Sequence, residues 1–193
     1  MTSAILGLFG GTFDPPHLGH VAAAQAAVAA LGLSELVVTV AADPQLKPAA
    51  PTAPAAVRYE MAVAAFEGVD AVRVSDLELR RGGPTYSVDT VEALLDERPG
   101  TRVILVLGAD AASGLARWHR ARDLAGMVEV AVVPRPGSEF VAPEGFSWRA
   151  VPMAPVDLSS TGVRAALAAG ADPAGLLPEG VVHIVLANRL YSP

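Results

Sequence analysis

Apolar positions in this chain follow two alternating patterns. Short continuous runs at 3–9, 35–41, 71–76, 102–107 and 128–133 predict strands. Runs such as LVVTVA and VILVL carry no regular polar alternation, which suits strands of a parallel sheet buried on both faces. A weaker strand is expected near 147–151. Between these runs, helical spacing of apolar residues predicts helices over about 17–31, 55–67, 86–97, 110–125, 160–169 and 178–188. The alternation predicts an α/β fold: a doubly wound, mostly parallel sheet with right-handed crossovers. At 193 residues the chain is expected to form a single domain, 1–193. In open sheets of this kind ligands sit outside the carboxyl ends of the strands, where strand order reverses. The strand-to-helix junctions are therefore where chemistry is expected.

Composition narrows that chemistry. The formal net charge is −6, which argues against a nucleic-acid partner, since no broad basic surface is available for a phosphate backbone. An anionic ligand would have to be held by a few local groups. There are no cysteines, so disulfides, thiolate metal sites and cysteine nucleophiles are excluded. The first residues lack the basic region of a signal peptide, and the most apolar helix, VAAAQAAVAALGL, is too short to span a bilayer. A cytoplasmic protein with no membrane partner is expected. Lys47 is the sole lysine among 14 basic residues.

The first junction, GGTFDPPHLGH, follows the first strand directly. Gly10 and Gly11 can turn sharply and let a ligand approach the backbone. Thr12 and Asp14 are expected to bond amides within the turn, and Pro15 and Pro16 to stiffen it. A helix starting near His17 would aim its unpaired N–H groups and positive dipole end at the same place, a ready anion site. His17 and His20, three apart, share one helical face. They could also be a metal pair, but no third ligand is evident nearby, or serve only a structural role. The run is neither a P-loop nor a dinucleotide fingerprint.

GGTFDPPHLGH resembles the HxGH motif of the nucleotidyltransferase superfamily, in the form G-G-T-F-D-P-x-H-x-G-H. That form is similar to bacterial nicotinate-nucleotide adenylyltransferases, which join ATP and nicotinate mononucleotide into the deamido form of NAD. The resemblance implies a Rossmann-like nucleotidyltransferase topology. It implies that Gly10, Gly11, Thr12, Phe13, His17 and His20 bind ATP, with His20 and His17 catalytic. LSSTGVR, residues 158–164, resembles the family's second motif, [IL]-S-S-T-x-[IV]-R. There Ser159, Ser160, Thr161 and Arg164 would hold ATP phosphates. The hydroxyls are also ordinary N-cap types, and the arginine could be a solvated one.

Further junctions extend the resemblance over nearly the whole chain. Gly108 and Asp110 would contact the adenosine ribose, although Asp110 also reads as a helix cap. Trp118 corresponds to the tryptophan that stacks on the pyridine ring; the alternative is a tryptophan covering the core. His119 stands where many relatives carry tyrosine. Thr85 and Tyr86, in GGPTYSVDT, are candidates for the nicotinate carboxylate, or simply begin a helix. Arg135 matches a family arginine after the fifth strand. Lys47 sits where relatives often read P-P-H-K, and could reach the β- and γ-phosphates. No resident metal site is expected, only Mg²⁺ carried with ATP. Rival readings are a nicotinamide mononucleotide or phosphopantetheine adenylyltransferase, or a non-catalytic nucleotide-binding protein on the same fold.

Overall fold

The computed structural model describes residues 4–45, 50–134, 136, 141–142 and 144–192. In chain order the first half runs β1 (Ile5–Gly11), α1 (Leu18–Leu31), β2 (Glu35–Val40), α2 (Ala55–Phe66), β3 (Val72–Ser75), α3 (Leu77–Arg81) and α4 (Ser87–Glu97). The second half runs β4 (Arg102–Gly108), α5 (Ala109–Ala112), α6 (Ala121–Met127), β5 (Val128–Val133), β6 (Trp148–Ala150), α7 (Ser160–Ala168) and α8 (Glu179–Ala187). The six strands pair in parallel in the order β3-β2-β1-β4-β5-β6. Strand order thus reverses between β1 and β4, which is where a doubly wound sheet opens a crevice.

The unbroken apolar strands are explained by a core on each side of the sheet. Successive side chains of a strand point to opposite faces. Leu6 and Leu8 pack with Val88, Val91 and Leu94 of α4 and Leu124 of α6. Phe9, on the other face, packs with Ala23, Ala24 and Ala27 of α1 and Val163 of α7. β4 divides likewise, with Val103, Leu105 and Leu107 on one side and Ile104 and Val106 on the other. Each fully buried Leu or Val contributes on the order of 1.5–3 kcal/mol. Gly7 sits where a Cβ would fall 2.5 Å from a Leu36 methyl and 2.6 Å from one of Leu33, so only hydrogen fits there.

The structure departs from the sequence expectation in three places. The helix expected over 110–125 is broken into α5, a 3-10 turn (Leu115–Arg117) and α6. Gly114 N–H donates back to Ala111 O at 3.1 Å, Trp118 is extended, and Arg120 is left-handed at φ 50°. The break turns Trp118 toward the crevice. The five-residue α3 was not expected, because so short a segment carries no helical period. Nor was a two-residue parallel ladder joining Asp43–Pro44 to Pro84–Thr85 beside the main sheet. Among the described residues no helix is long and apolar enough to cross a membrane.

Candidate active site

A cavity of about 490 Å³ opens at the carboxyl ends of β1 and β4, at the reversal of strand order. Gly10 and Gly11 at the end of β1 form one wall with Thr12 and Phe13. A Cβ on Gly11 would lie 2.9 Å from the Phe13 ring, so glycine lets this ring fold under the turn. Phe13 itself takes a left-handed φ of 49° and is buried, edge-on to Phe9 and Phe66. Its ring also meets His20 edge-on, with centroids 5.0 Å apart.

His17 is the N-cap of α1 and His20 the third residue of its first turn. Their rings stack, with centroids 3.7 Å apart and planes inclined by 27°. Gly19 makes this possible, since a Cβ there would sit 3.0 Å from His17 Nδ1. His17 N–H donates to His20 Nδ1 at 3.1 Å. Because that nitrogen accepts, this hydrogen bond assigns the proton of a neutral His20 to Nε2. His20 can then offer Nε2–H to an anionic oxygen. Both histidines line the cavity, and the first turn of α1 carries no acidic residue to oppose an anion.

α7 begins at the same place, 145 residues further along the chain: Ser160 Oγ donates to Pro15 O at 3.0 Å and lines the cavity. The helix ends bearing the two motifs therefore meet. Ser159 caps α7, accepting from Gly162 N–H at 3.1 Å. Arg164 donates to Asp14 O at 2.7 Å and, more weakly, to Thr161 Oγ1 at 3.4 Å. Ser159, Thr161 and Arg164 are thus tied to the helix start and the β1 turn, and do not line the cavity. Gly108, the N-cap of α5, and Asp110 line the opposite wall across β4.

The sequence model of the cytidylyltransferase-like family matches residues 8–166, a span holding both motifs and the cavity. The chain belongs to that family. Within it, a Bordetella petrii protein described as "Probable nicotinate-nucleotide adenylyltransferase" is 38% identical, over 96% of this chain and 98% of its own. One from Gloeobacter violaceus, described the same way, is 40% identical over 97% and 96%. Among solved structures, the Plasmodium falciparum nicotinic acid mononucleotide adenylyltransferase complexed with NaAD superposes with a TM-score of 0.82. It is 16% identical, with 97% of each chain covered, and shares the fold.

In this cytidylyltransferase-like enzyme the far end of the cavity carries the residues expected at the mononucleotide. Trp118 lines it, half-buried against the α4 side of the core. Thr85 lines it too, its Oγ1 accepting from Asp43 N–H at 3.2 Å. Tyr86, the N-cap of α4, stacks on His119 with centroids 4.2 Å apart; these two rings stand outside the lining. Lys47 and Arg135 lie outside the described residues.

Two residues near the site, Glu78 and Arg58, carry no signal in the local sequence, and a third, Asp14, bonds differently from its expectation. Glu78 lines the cavity while 5% exposed, accepting from Thr90 Oγ1 at 2.8 Å. Burial pushes its carboxyl above the usual range, opposed by the hydrogen bond from Thr90, by the nearby Thr39 hydroxyl and by the charge of Arg81. Arg58 is buried and donates to the carbonyls of Thr12, Ala41, Ala42 and Ala53. Asp14, expected to bond its own turn, instead accepts from Thr52 N–H, Ala53 N–H and Tyr191 Oη. A carboxylate this buried must find donors, and the turn offers too few. Among the described residues no group of three or more His, Asp or Glu side chains is placed to hold a metal ion.

Proposed function

We propose that this single-domain protein (1–193) transfers the adenylyl group of ATP to nicotinate mononucleotide, releasing pyrophosphate and forming the deamido form of NAD. The observation that carries this reading is convergence. The N-termini of α1 and α7, with His17, His20 and Ser160, meet at one end of a cavity whose other walls present Asp110, Thr85 and Trp118. Two positive helix ends suit a triphosphate. Asp110 offers an acceptor for ribose hydroxyls, and the face of Trp118 suits an electron-poor pyridine ring.

The acceptor phosphate is already an anion near neutral pH, because a phosphate monoester has a second pKa of about 6. Its oxygen attacks the α-phosphorus in line and the pyrophosphate oxygen leaves, so no enzyme nucleophile is needed. The protein supplies alignment and compensation for charge. Orientation contributes up to about 7–11 kcal/mol in favourable cases. A fixed donor aimed at transition-state charge adds about 2.7–4 kcal/mol. His20 Nε2–H serves the α-phosphate, with His17 and the first amides of α1 assisting. Ser160 and the amides of α7 receive the leaving pyrophosphate, with Ser159 and Thr161 shaping that helix start and Arg164 and Lys47 adding positive charge. Gly10, Gly11, Thr12, Phe13 and Gly108 shape the ATP half. Thr85, Tyr86 and His119 border the mononucleotide half, and the resemblance assigns Arg135 to the same ligand. Mg²⁺ enters as part of the substrate, bound to ATP phosphates and mostly to water.

The test supplies Mg-ATP with nicotinate mononucleotide, nicotinamide mononucleotide and phosphopantetheine in turn, and follows pyrophosphate. Preferential release with nicotinate mononucleotide supports the reading. Preference for another acceptor, or ATP binding with no release, overturns it.

A further inference from the structure

Beside the cavity lies a buried polar network that joins five separate segments. Asp14, 3% exposed, is its hub. The Asp14 carboxylate accepts from Thr52 N–H at 2.7 Å, from Ala53 N–H at 3.1 Å and from the Tyr191 hydroxyl at 2.6 Å. The Asp14 carbonyl accepts from Arg164 of α7 at 2.7 Å. Arg58, 1% exposed, binds Thr12 O at 2.7 Å and Ala41 O at 2.8 Å, so it ties the same turn to the segment after β2.

Tyr191 reaches this hub by a strained path. Arg189 and Tyr191 both adopt left-handed backbone, at φ 50° and 60°, after the end of α8. Such residues cost free energy and persist only where the surroundings over-determine them. The ring is buried in the core beside α1 and α8, and burial together with the Asp14 carboxylate pushes the phenol above its ordinary range. It therefore remains a donor at neutral pH. Burying a carboxylate and a guanidinium is a poor route to stability alone, since apolar packing does as well or better. What the network gives is a fixed position for the β1 turn.

We propose that the Tyr191 hydroxyl is a positioning residue for adenylyl transfer: through Asp14 it holds the turn between Gly11 and His17, and with it the histidine pair, in register with the start of α7. The inference rests on the function proposed above. It assigns Tyr191 no contact with substrate.

Tyr191→Phe removes one oxygen and keeps the ring in its place. Asn188→Ala serves as the comparison, because Asn188 bonds only Ile184 O at the end of α8 and so affects stability without touching Asp14. Thermal unfolding, kcat and both KM values are measured well below the melting temperature of each variant. Tyr191→Phe is expected to lose about ten- to a hundredfold in kcat, the scale of a sub-ångström to ångström misplacement. The KM for nicotinate mononucleotide is expected to stay within about twofold, since its binding groups are untouched. Asp14→Asn, which keeps the shape and weakens the acceptor, is expected to reproduce the kcat loss. Asn188→Ala is expected to melt earlier with wild-type kcat. A lowered melting temperature with wild-type kcat in Tyr191→Phe overturns the inference alone. A wild-type chain that makes no deamido-NAD overturns the reaction, and the inference with it.

Discussion

Gly19→Ala separates stability from activity in one substitution. Gly19 is the second residue of α1, between the two histidines. A Cβ there would stand 3.0 Å from His17 Nδ1, 3.1 Å from His17 Cε1 and 3.5 Å from Leu158 Cβ. Ordinary contact between unbonded heavy atoms begins at about 3.5 Å, so the His17 ring must retreat by about half an ångström. It is stacked on His20 with centroids 3.7 Å apart, so the displacement passes to the second ring. Alanine in place of glycine stabilises a compatible helical position by about 0.4–1 kcal/mol. That gain is set against the cost of moving the buried His17 ring, so the melting temperature is expected to change little. If a 1 Å misplacement costs about a hundredfold in rate, half of that costs about tenfold. The assay is pyrophosphate release at saturating Mg-ATP and nicotinate mononucleotide, beside thermal unfolding of the same preparations. A variant of undiminished stability with wild-type kcat would refute the claim that the stacked pair must keep its present place.

Three further substitutions test separate parts of the site. His20→Ala is expected to lower kcat by about 10²–10³, the effect of losing one fixed donor, with far smaller changes in KM; near wild-type turnover in steady-state assays would remove His20 from the chemistry. Trp118→Ala is expected to raise the KM for nicotinate mononucleotide roughly tenfold, the scale of a lost ring stack, with kcat less affected; an unchanged KM would assign the ring to the core. For Glu78→Gln the readout is stability against pH. Burial raises the Glu78 pKa, so the folded chain holds this proton more tightly than the unfolded one. That contribution is complete below the ordinary carboxylate pKa and is lost as pH rises through the raised one. The melting temperature of the wild type, relative to Glu78→Gln, is thus expected to fall as pH rises above the ordinary carboxylate range; a difference independent of pH would contradict the assignment.

The strands β1, β2, β4 and β5 were legible because each is a short apolar run with both faces buried, as in Leu6, Leu8 and Phe9 of β1. The two motifs were legible because spacing alone puts His17 and His20 in one helical turn and hydroxyls at the cap of another. What the sequence did not disclose lies between distant segments. Arg58 stands in AAVRYEMAVAAF with nothing local to mark it, since its carbonyl partners come from residues 12, 41, 42 and 53. Tyr191 and Asp14 are 177 residues apart. Arg164 shares a face with Thr161, as its spacing requires, yet its shorter bond is to the Asp14 carbonyl, which helical periodicity cannot reveal. The interrupted helix at 109–127 depends on where Trp118 packs, and its local pattern reads as continuous.

Adenylyl transfer at this site requires that one phosphate oxygen displace another directly at the α-phosphorus, with the protein only aligning and stabilising. The most direct test uses ATP carrying a single sulfur of known configuration on the α-phosphorus, followed to the dinucleotide product. Direct in-line transfer to nicotinate mononucleotide predicts inversion of that configuration. Retention would mean two successive displacements through a group on the enzyme, and would contradict the role assigned to His17, His20 and the two helix ends.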